Sequence, residues 1–470
     1  MLRNTLDWTI DRLALAPIRD RLLDRRVPKA AWYSGDGATL LALLGIQVIT
    51  GMVLALSYSP AVDSAYASVV RITEEQTMGW FVRGLHYWSA GAMMVMVTFH
   101  LLRQLLMAGY KSPREGTWLV GVALFFGVLL LGYTGYLLRW DERSIHGIRV
   151  MLHMLHRVPL VGESLVLFVQ GGPDMGPATL TRLYATHVLI IPLGMFAMVA
   201  FHLYLVVMRG TTTRAERRQV VESVADQRRL YEQETSSAEG GEAFFPVTMF
   251  KTAVMATTVI LIVAMVTLTV GPAELFPEAS LTAVSRPAEE WWFWWLSGLI
   301  AVLPAWAAPW FVVVFPVVIL ALLLAVPWLD RSPHRGIRKR PFWLVLVVLI
   351  VIALLTLSDY RRRSAFTGWP DPEPPVIPAG MNLSPRAERG RLLFAEYGCN
   401  SCHGIGGRGR RLAVDFASLR GQLSRDKIRE YVLRPPADVA MPGYEGRLSD
   451  EELAAIVEFC HVVQTFPLRG

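Results

Sequence analysis

Seven long apolar stretches constrain the fold of this chain more than any other feature of its 470 residues. A helix that crosses about 30 Å of hydrocarbon needs about 20 apolar residues, because each residue adds about 1.5 Å. The hydrophobic content of 53% is typical of the membrane class. We therefore predict an all-α membrane protein with seven spanning helices at about 37–57, 81–107, 117–138, 179–208, 247–270, 308–328 and 342–358.

Two further segments are expected to lie at the membrane surface. Residues 1–31 place apolar residues at helical intervals among arginines, which predicts an amphipathic helix on an anionic membrane face; a solvated soluble helix is the alternative. Residues 291–303 are apolar but stop before Pro304, a length of about 13 residues that favours an interfacial or re-entrant segment.

The distribution of arginine and lysine indicates the orientation. These residues are concentrated in the N-terminal segment and in the loops after the second, fourth and sixth spans, and such loops are usually cytoplasmic. An odd number of spans then places the C-terminus on the outer face of a bacterial cytoplasmic membrane. The arginines at 361–363 run against this pattern. Membrane topology also accounts for the net charge of +7, so we expect no nucleic-acid partner.

Two spans each carry a pair of histidines, His86 with His100 and His187 with His202. Spacings of 14 and 15 residues equal about four helical turns, so both histidines of a pair lie on about one face. If the two helices are neighbours, His86 can face His187 and His100 can face His202. Ionisable residues inside a membrane are costly and mark function. We predict two bis-imidazole sites for b-type haem; histidines with local hydrogen-bond partners are the alternative.

The soluble C-terminal part contains the run GCNSCHG, in which Cys399, Cys402 and His403 have the C-x-x-C-H spacing of c-type haem attachment. A zinc site would need more ligands at close spacing, and a thioredoxin-like pair would need a βαβ pattern. Met441 and His461 are the candidates for the opposite axial ligand. Met441 is favoured because it follows a proline-rich loop that suits a rigid strap over a haem face.

Changes in composition predict the domain boundaries. Five prolines between residues 370 and 378 favour an extended spacer. Ser449 and Glu452 form a capping-box signature for a helix that ends near Val463. The predicted units are the surface helix 1–31, a four-helix domain 32–210, a cytoplasmic linker 211–243, a three-helix domain 244–363, a proline-rich linker 364–383 and a cytochrome c domain 384–470.

Several sequence runs resemble a known family. The first 210 residues resemble cytochrome b6, the counterpart of the N-terminal half of cytochrome b, in LLGIQVITGMVLALSYSP, RGLHYWSA, KSPREGTWLVGVAL, GYTGYLLRWD and TLTRLYATH. Residues 240–358 resemble subunit IV of the same complexes, and the end of the chain resembles a monohaem cytochrome c. The resemblance implies a four-helix dihaem bundle and three further spans, fused to a small helical cytochrome c domain.

The resemblance assigns roles beside the predicted haems. Arg83 and Arg182 match positions where the family places cations near the propionates of the outer haem. Glycines without side chains would let the haem rings approach the first and third spans, and generic small-residue helix packing is the alternative. These glycines are Gly37, Gly51, Gly121 and Gly135.

The resemblance also implies a quinol-oxidation site. The family uses a Pro-Glu-Trp-Tyr motif, and RPAEEWWFWW places Glu290, Trp291 and Trp292 at its last three positions. Glu289 and Arg139 each stand where the family has proline. A carboxylate desolvated by tryptophans has a raised proton affinity, as a base for quinol requires. The alternative is an interfacial aromatic belt with solvated acids.

The implied activity is that of a subunit of a quinol:cytochrome c oxidoreductase coupled to proton translocation. Quinol would be oxidised on the outer face, with a Rieske iron–sulfur protein and a cytochrome c acceptor as partners, in a homodimeric complex. The segment WYSGDG lacks the cysteine that attaches an additional haem in cytochrome b6, so that linkage is not expected. Two rival functions remain, a Rieske-independent quinol dehydrogenase and a non-catalytic electron conduit or assembly anchor.

Overall fold

The structure is a computed structural model. It describes residues 8–9, 11–13, 23–29, 35–156, 158–172, 174–213, 216, 221, 223–278, 290–303, 307–368, 374–377, 380–401, 403–405, 408–409, 414–419, 421–436, 441 and 443–465. Most of the predicted surface helix, residues 369–373 of the proline-rich linker, Glu289 and Cys402 lie outside these residues.

The described residues between 35 and 213 contain eight α-helices. They are α1 Asp36–Ala55, α2 Ala65–Glu74, α3 Gly79–Leu106, α4 Glu115–Leu137, α5 Glu142–His156, α6 Gly162–Gln170, α7 Pro177–Ala185 and α8 Ile191–Arg209. A π-helical turn, Thr186–Ile190, joins α7 to α8, so the two form one continuous stretch of 33 residues. Helices α1, α3, α4 and α7–α8 match the first four predicted spans, and the shorter helices lie in the connections.

The described residues of 223–278, 290–303 and 307–368 contain five further α-helices. They are α9 Val224–Ser236, α10 Met249–Val270, α11 Trp294–Val302, α12 Ala308–Leu329 and α13 Pro341–Gly368. Helix α11 has only nine residues, in agreement with the prediction that 291–303 is not a span. Helix α13 is longer than the predicted stretch 342–358, because nothing breaks the helix between its apolar part and Pro370.

Six stretches in the described part of the chain are long and apolar enough to cross a membrane. They are Asp36–Ala55, Gly79–Leu106, Glu115–Leu137, Pro177–Arg209, Phe244–Val270 and Pro341–Arg362. Helix α12 covers the remaining predicted span over 22 residues, of which Val314–Leu329 form a continuous apolar segment. Nearly all faces of these helices carry apolar side chains, as expected for helices in lipid.

Helix α3 occupies the centre of the membrane part. It packs against α1 on one side and α4 on the other, while α8 packs against α4, and α10 covers α1 and α3. Met93 and Met94, midway between His86 and His100, are buried in a cluster with residues of α1, α4, α8 and α10. This core separates the two ends of the bundle where the histidines lie.

The predicted linker 211–243 is folded onto one end of this bundle. Strand β1, Arg26–Pro28, pairs in antiparallel register with β2, Gly241–Ala243. Arg114, at the start of α4, forms a buried ion pair with Glu216 at 2.8 Å. The linker therefore closes the bundle at the His100 end.

The C-terminal part has its own hydrophobic core. Helices α14 Pro385–Glu396, α15 Arg425–Leu433 and α16 Asp450–Thr465 surround it, beside a short hairpin of β3 Gly404–Ile405 and β4 Arg408–Gly409. Gly390 allows α14 to cross α16 closely, since a Cβ there would lie 2.0 Å from the Ala455 carbonyl oxygen. The predicted capping box is present, because the Glu452 N–H donates to Ser449 Oγ at 3.3 Å and the Ser449 N–H donates to Glu452 Oε2 at 2.9 Å. Helix α16 ends two residues later than expected.

Candidate functional site

His86 on α3 and His187 in the turn between α7 and α8 face each other across the bundle. Their ring centroids are 6.4 Å apart and their planes are inclined by 78°. Metal–imidazole bonds are about 2 Å long, so two imidazoles on opposite sides of one metal ion have centroids about 6 Å apart. The pair fits a single six-coordinate metal ion, such as a haem iron, between its rings.

Two threonines fix the tautomers of this pair. Thr50 Oγ1 lies 2.9 Å from His86 Nδ1 and donates its own proton to the Ile46 carbonyl. Thr134 Oγ1 lies 3.0 Å from His187 Nδ1 and bonds to a carbonyl of its own helix in the same way. Each hydroxyl oxygen therefore accepts a hydrogen bond from Nδ1–H, which leaves the Nε2 lone pair for a metal.

The second pair has a charged environment. His100 Nδ1 lies 2.8 Å from Asp36 Oδ2, and the same carboxylate receives two hydrogen bonds from Arg103 at 2.8 and 3.0 Å. Asp36 is only 2% exposed. His202 is close enough to His100 for their charges to interact, and the backbone of Thr117 faces its imidazole, although no described atom meets Nδ1 with full hydrogen-bond geometry. The two histidines of the second predicted pair therefore have different neighbours.

Three of the four predicted glycines lie directly against histidine rings. A Cβ at Gly51 would lie 3.3 Å from His86 Cε1, and one at Gly135 would lie 2.7 Å from His187 Cε1. Gly121 has the same relation to His202, at 3.3 Å. The side chains of larger residues would push these imidazoles out of place. Gly37 differs, since a Cβ there would meet no described atom within 4 Å.

The two arginines that are predicted to lie near haem propionates, Arg83 and Arg182, are at the His86 end of the bundle. Arg83 is buried about one turn before His86, and its Nη2 donates to the Ala273 carbonyl. The Arg182 guanidinium lies 5.5 Å from the Phe168 ring centroid and donates to the Phe168 carbonyl. Both arginines are therefore positioned by backbone carbonyls beside the first histidine pair.

Glu290 lies at the wall of a cavity of about 360 Å³, which is lined in part by Tyr87 and Trp88, the two residues that follow His86 in the chain. The carboxylate is only 1% exposed. Tyr87 donates its hydroxyl to Oε2 at 2.8 Å, and Arg139 Nη2 and Arg143 Nη1 lie 2.7 and 3.4 Å from Oε1. The cavity is lined by Tyr87, Trp88, Arg143, Glu290, Trp291 and Trp294.

The tryptophans of the motif pack into the bundle. Trp292 is buried, and its ring centroid lies 5.4 Å from that of Tyr87 and 5.4 Å from that of Trp291. Trp291 rests on Gly91, where a Cβ would lie 2.6 Å from its ring. The burial of Glu290 and Trp292 argues against a solvated aromatic belt and favours a formed ligand pocket.

In the C-terminal domain, His403 is oriented for ligation. Its Nδ1 lies 2.9 Å from the Val414 carbonyl oxygen, which leaves Nε2 free to bind a metal, and its ring centroid lies 4.9 Å from that of Phe416. Burial lowers the pKa of His403, while the Val414 carbonyl opposes this shift. Cys399 and Met441 both pack against the core of this domain. The alternative ligand His461 instead accepts a hydrogen bond at Nδ1 from Gln464 Nε2, at 3.1 Å.

Sequence reasoning missed several residues of these sites, among them Asp36, Thr50, Thr134 and Tyr87. A signal for the first three was present, because each directly precedes one of the four predicted glycines. The fourth such position holds Val120, whose side chain cannot form a hydrogen bond to His202. Tyr87 had no such signal, since only the folded loop brings Glu290 to its hydroxyl.

Comparisons with known proteins agree with this geometry. The family model "Cytochrome b/b6/petB" matches residues 23–210. The menaquinol:cytochrome c reductase cytochrome b subunit of Bacillus subtilis is 36% identical over 220 residues, which cover 45% of this chain and 98% of that protein. This chain belongs to the cytochrome b/b6 family. Cytochrome b6 of Synechocystis is also 36% identical, over 43% of this chain and 92% of its own length.

Two further matches extend beyond the cytochrome b part. The model "Cytochrome C oxidase, cbb3-type, subunit III" matches residues 385–459. The solved structure "Hyperthermophilic respiratory Complex III" has a TM-score of 0.65 and 26% identity, over 84% of this chain and 96% of that one. The predicted family and the all-α membrane fold with a cytochrome c domain are confirmed. The chain is a multi-pass membrane protein of haem-binding electron-transport families and a subunit of a redox complex.

Proposed function

We propose that this chain is the cytochrome b and cytochrome c subunit of a Rieske-type quinol:cytochrome c oxidoreductase. The observation that carries the proposal is the 6.4 Å spacing of His86 and His187, beside a cavity that contains Glu290. Tyr87 connects the two sites, because it follows His86 in the chain and donates to Glu290. A quinol in the cavity would thus lie next to a bis-imidazole site.

Three haems fit the ligands that the chain offers. His86 with His187, and His100 with His202, would each hold a haem b. Cys399, Cys402 and His403 would hold a covalent haem c with Met441 opposite. When bound, these groups supply one-electron transfer between the quinol cavity, the far side of the membrane and an external acceptor. The predicted roles of Arg83, Arg182 and the glycines in positioning the two b haems are part of this proposal.

The chain's own residues would bind quinol and take its proton. Trp291 and Trp294 offer aromatic surface to the quinone ring, and Glu290 is the proton acceptor. The Bacillus subtilis relative is named for menaquinol, so a quinol is the expected substrate class. Trp292 supports this wall by packing between Tyr87 and Trp291.

The arrangement in the membrane follows from the charge distribution. We place the N-terminus and the 211–243 linker on the cytoplasmic side of a bacterial membrane. The four-helix unit 32–210 and the three-helix unit 244–363 cross this membrane. The proline-rich linker 364–383 then leads to the cytochrome c domain on the outer face. Protons from quinol would be released outside. A Rieske protein, a cytochrome c acceptor and a second copy of the complex are the proposed partners.

The purified native complex tests this function. Redox difference spectra should show two b haems for each c haem, and a quinol should reduce them. Fewer than two b haems per c haem would contradict the proposal. The subunit composition separates the main rival, since a complex that oxidises quinol without an iron–sulfur subunit would be a Rieske-independent dehydrogenase. Haem reduction that is insensitive to quinol-site inhibitors would instead indicate a conduit.

A further inference from the structure

The cavity beside Glu290 has aromatic walls and one charged end. Its lining contains two charged residues, Arg143 and Glu290, and the distance from Arg143 Nη1 to Glu290 Oε1 is 3.4 Å, so the two charges lie at the same end. The remaining lining residues are Tyr87, Trp88, Trp291 and Trp294. Such a cavity suits a flat aromatic ligand that carries an oxygen at its edge.

Arg143 and Arg139 have different relations to Glu290. Arg139 Nη2 makes the short contact, 2.7 Å from Oε1, and Arg139 is not part of the described lining of the cavity. Arg143 lines the cavity, and its side chain keeps 19% of its surface exposed. The Arg143 guanidinium makes one hydrogen bond to the described residues, the 3.4 Å contact with Glu290, and its buried Nε makes none. A guanidinium has five N–H donors, so Arg143 has donors left for a ligand.

Phe276 holds the Arg143 side chain in place. Arg143 Cζ lies 4.1 Å from the centroid of the Phe276 ring, which is a cation–π contact. The segment that carries Phe276 is itself joined to the start of α5. The Phe276 N–H donates to Asp141 Oδ2 at 3.3 Å, and the Glu142 N–H donates to the Pro277 carbonyl at 3.0 Å. A donor that is already fixed in this way loses less conformational entropy when it binds a ligand.

Building on the proposed quinol oxidation, we infer that Arg143 is a substrate-binding residue that donates a hydrogen bond to the ring oxygen nearest Glu290. A quinol hydroxyl is both a donor and an acceptor, so its O–H can donate to a carboxylate while its oxygen accepts from a guanidinium. The oxygen of the quinone product is an acceptor only. Arg143 therefore binds substrate and product at the same oxygen, whereas an ionised carboxylate can bind only the quinol.

The test compares two probes on the purified, oxidised complex. One is menadione, a naphthoquinone, and the other is methylnaphthalene, which has the same ring system without oxygens. Isothermal titration calorimetry measures both dissociation constants. In Arg143→Gln we expect the constant for menadione to rise by about 10- to 100-fold, because a hydrogen bond from a charged group is lost, and the constant for methylnaphthalene to stay within about twofold. A separate assay with a short-chain quinol should show a similar fall in kcat/KM.

Two further variants serve as controls. Arg149→Gln removes a cation from the same helix, at a residue outside the described lining of the cavity, and the dissociation constant for menadione should not change. Phe276→Leu keeps the guanidinium but removes the aromatic ring against which it packs. In this variant the constant for menadione should rise by only about two- to fivefold.

The outcomes separate the inference from the proposed function. Equal weakening of both probes in Arg143→Gln indicates a distorted cavity and overturns the inference, as does an unchanged constant for menadione. A parent complex that does not oxidise quinol overturns the proposed function, while a selective loss of menadione binding still supports the contact with the quinone oxygen. Haem spectra verify that each variant is assembled. If Arg143→Gln does not assemble, Arg143→Lys decides. Lysine does not reproduce the planar guanidinium, so it should weaken menadione binding selectively, and equal effects on the two probes contradict the inference.

Discussion

The two ends of the histidine bundle differ in what holds the rings. At the His86 end, both Nδ1 atoms meet threonine hydroxyls, which are neutral and are satisfied within their own helices. At the His100 end, one Nδ1 meets the buried Asp36 carboxylate, whereas the other ring faces only backbone, from Thr117. A carboxylate on Nδ1 makes the imidazole a stronger donor to a metal. The two ends of the same helices thus give their histidines different electronic environments.

The His100 end, which we call the charged end, needs compensating groups for its buried carboxylate. The His86 end, the neutral end, has no buried charge on its threonines and needs none. A buried carboxylate is stable only when it is paired and hydrogen-bonded, and Arg103 supplies both for Asp36. The threonines need no such partner. The comparison teaches that the identity of one residue before each glycine sets the character of each site.

Removal of one histidine from each pair is the strongest way to test this division. His86→Leu and His202→Leu should each lose one b haem and retain the other, because each residue serves a separate site. Haem content and low-temperature redox spectra of the purified complexes provide the measurement. A variant that keeps both b haems with unchanged spectra would contradict the assignment of that histidine.

Arg103→Leu should break the charged end selectively. The substitution leaves Asp36 buried beside His100 without its cation, and loss of one partner of a buried pair costs about 3–5 kcal/mol. Thermal unfolding of the complex measures the change. Thr134→Val at the neutral end is the control and should cost about 1 kcal/mol. Equal losses in the two variants would refute the difference between the ends.

Alanine at two glycines compares how closely the helices approach the rings. Gly135→Ala should displace His187, since the new Cβ would lie 2.7 Å from Cε1, at a cost of about 1–3 kcal/mol. Gly121→Ala meets His202 only at 3.3 Å and should be tolerated better. The fraction of haem that each variant retains on heating measures the two effects. A larger loss in Gly121→Ala than in Gly135→Ala would contradict the close approach of α4 to His187.

Asp36→Asn tests the electronic difference itself. The neutral amide weakens electron donation by His100, so the midpoint potential of one b haem should rise by on the order of 50 mV, nearly a tenfold change for one electron. Potentiometric titration resolves the two b haems. Thr50→Val should shift only the other haem and by less. Movement of both haems by the same amount in Asp36→Asn would argue against a local effect.

The ion pair that closes the His100 end should give the smallest effect, a dependence of stability on pH. Burial alone would raise the pKa of Glu216, but hydrogen bonds and charge from Arg114 lower it below its usual value. Because the folded pKa is depressed, the contribution is present above the unfolded pKa of about 4.3 and is lost as pH falls through the folded value. Glu216→Gln replaces charge-assisted hydrogen bonds to Arg114 by neutral ones and should remove about 1 kcal/mol of this acid-sensitive stability. Melting curves between about pH 2.5 and pH 5.5, on both sides of the unfolded pKa, measure it; a variant as acid-sensitive as the parent would contradict the assignment.

The helices and the histidine pairs could be predicted because both are local patterns. Apolar length decides whether a helix can cross lipid, and the 14-residue interval decides which faces carry ligands. The partners of Glu290 could not be predicted in this way. Arg139 stood out only as a departure from the family motif, and nothing local indicated that it would contact a residue 151 positions away.

The sequence by itself determined the long apolar helices, the placement of His86 with His100 and of His187 with His202 on single helix faces, and the C-x-x-C-H spacing, because helical periodicity and covalent spacing are properties of short segments. Only the tertiary structure decided that Asp36 would hold His100, that Tyr87 would reach Glu290 and that Arg139 would neutralise it. Those contacts join segments that are far apart in the chain, so they depend on how whole helices pack. Because lipid cannot solvate a buried charge, such a charge must pair with a group on a neighbouring helix.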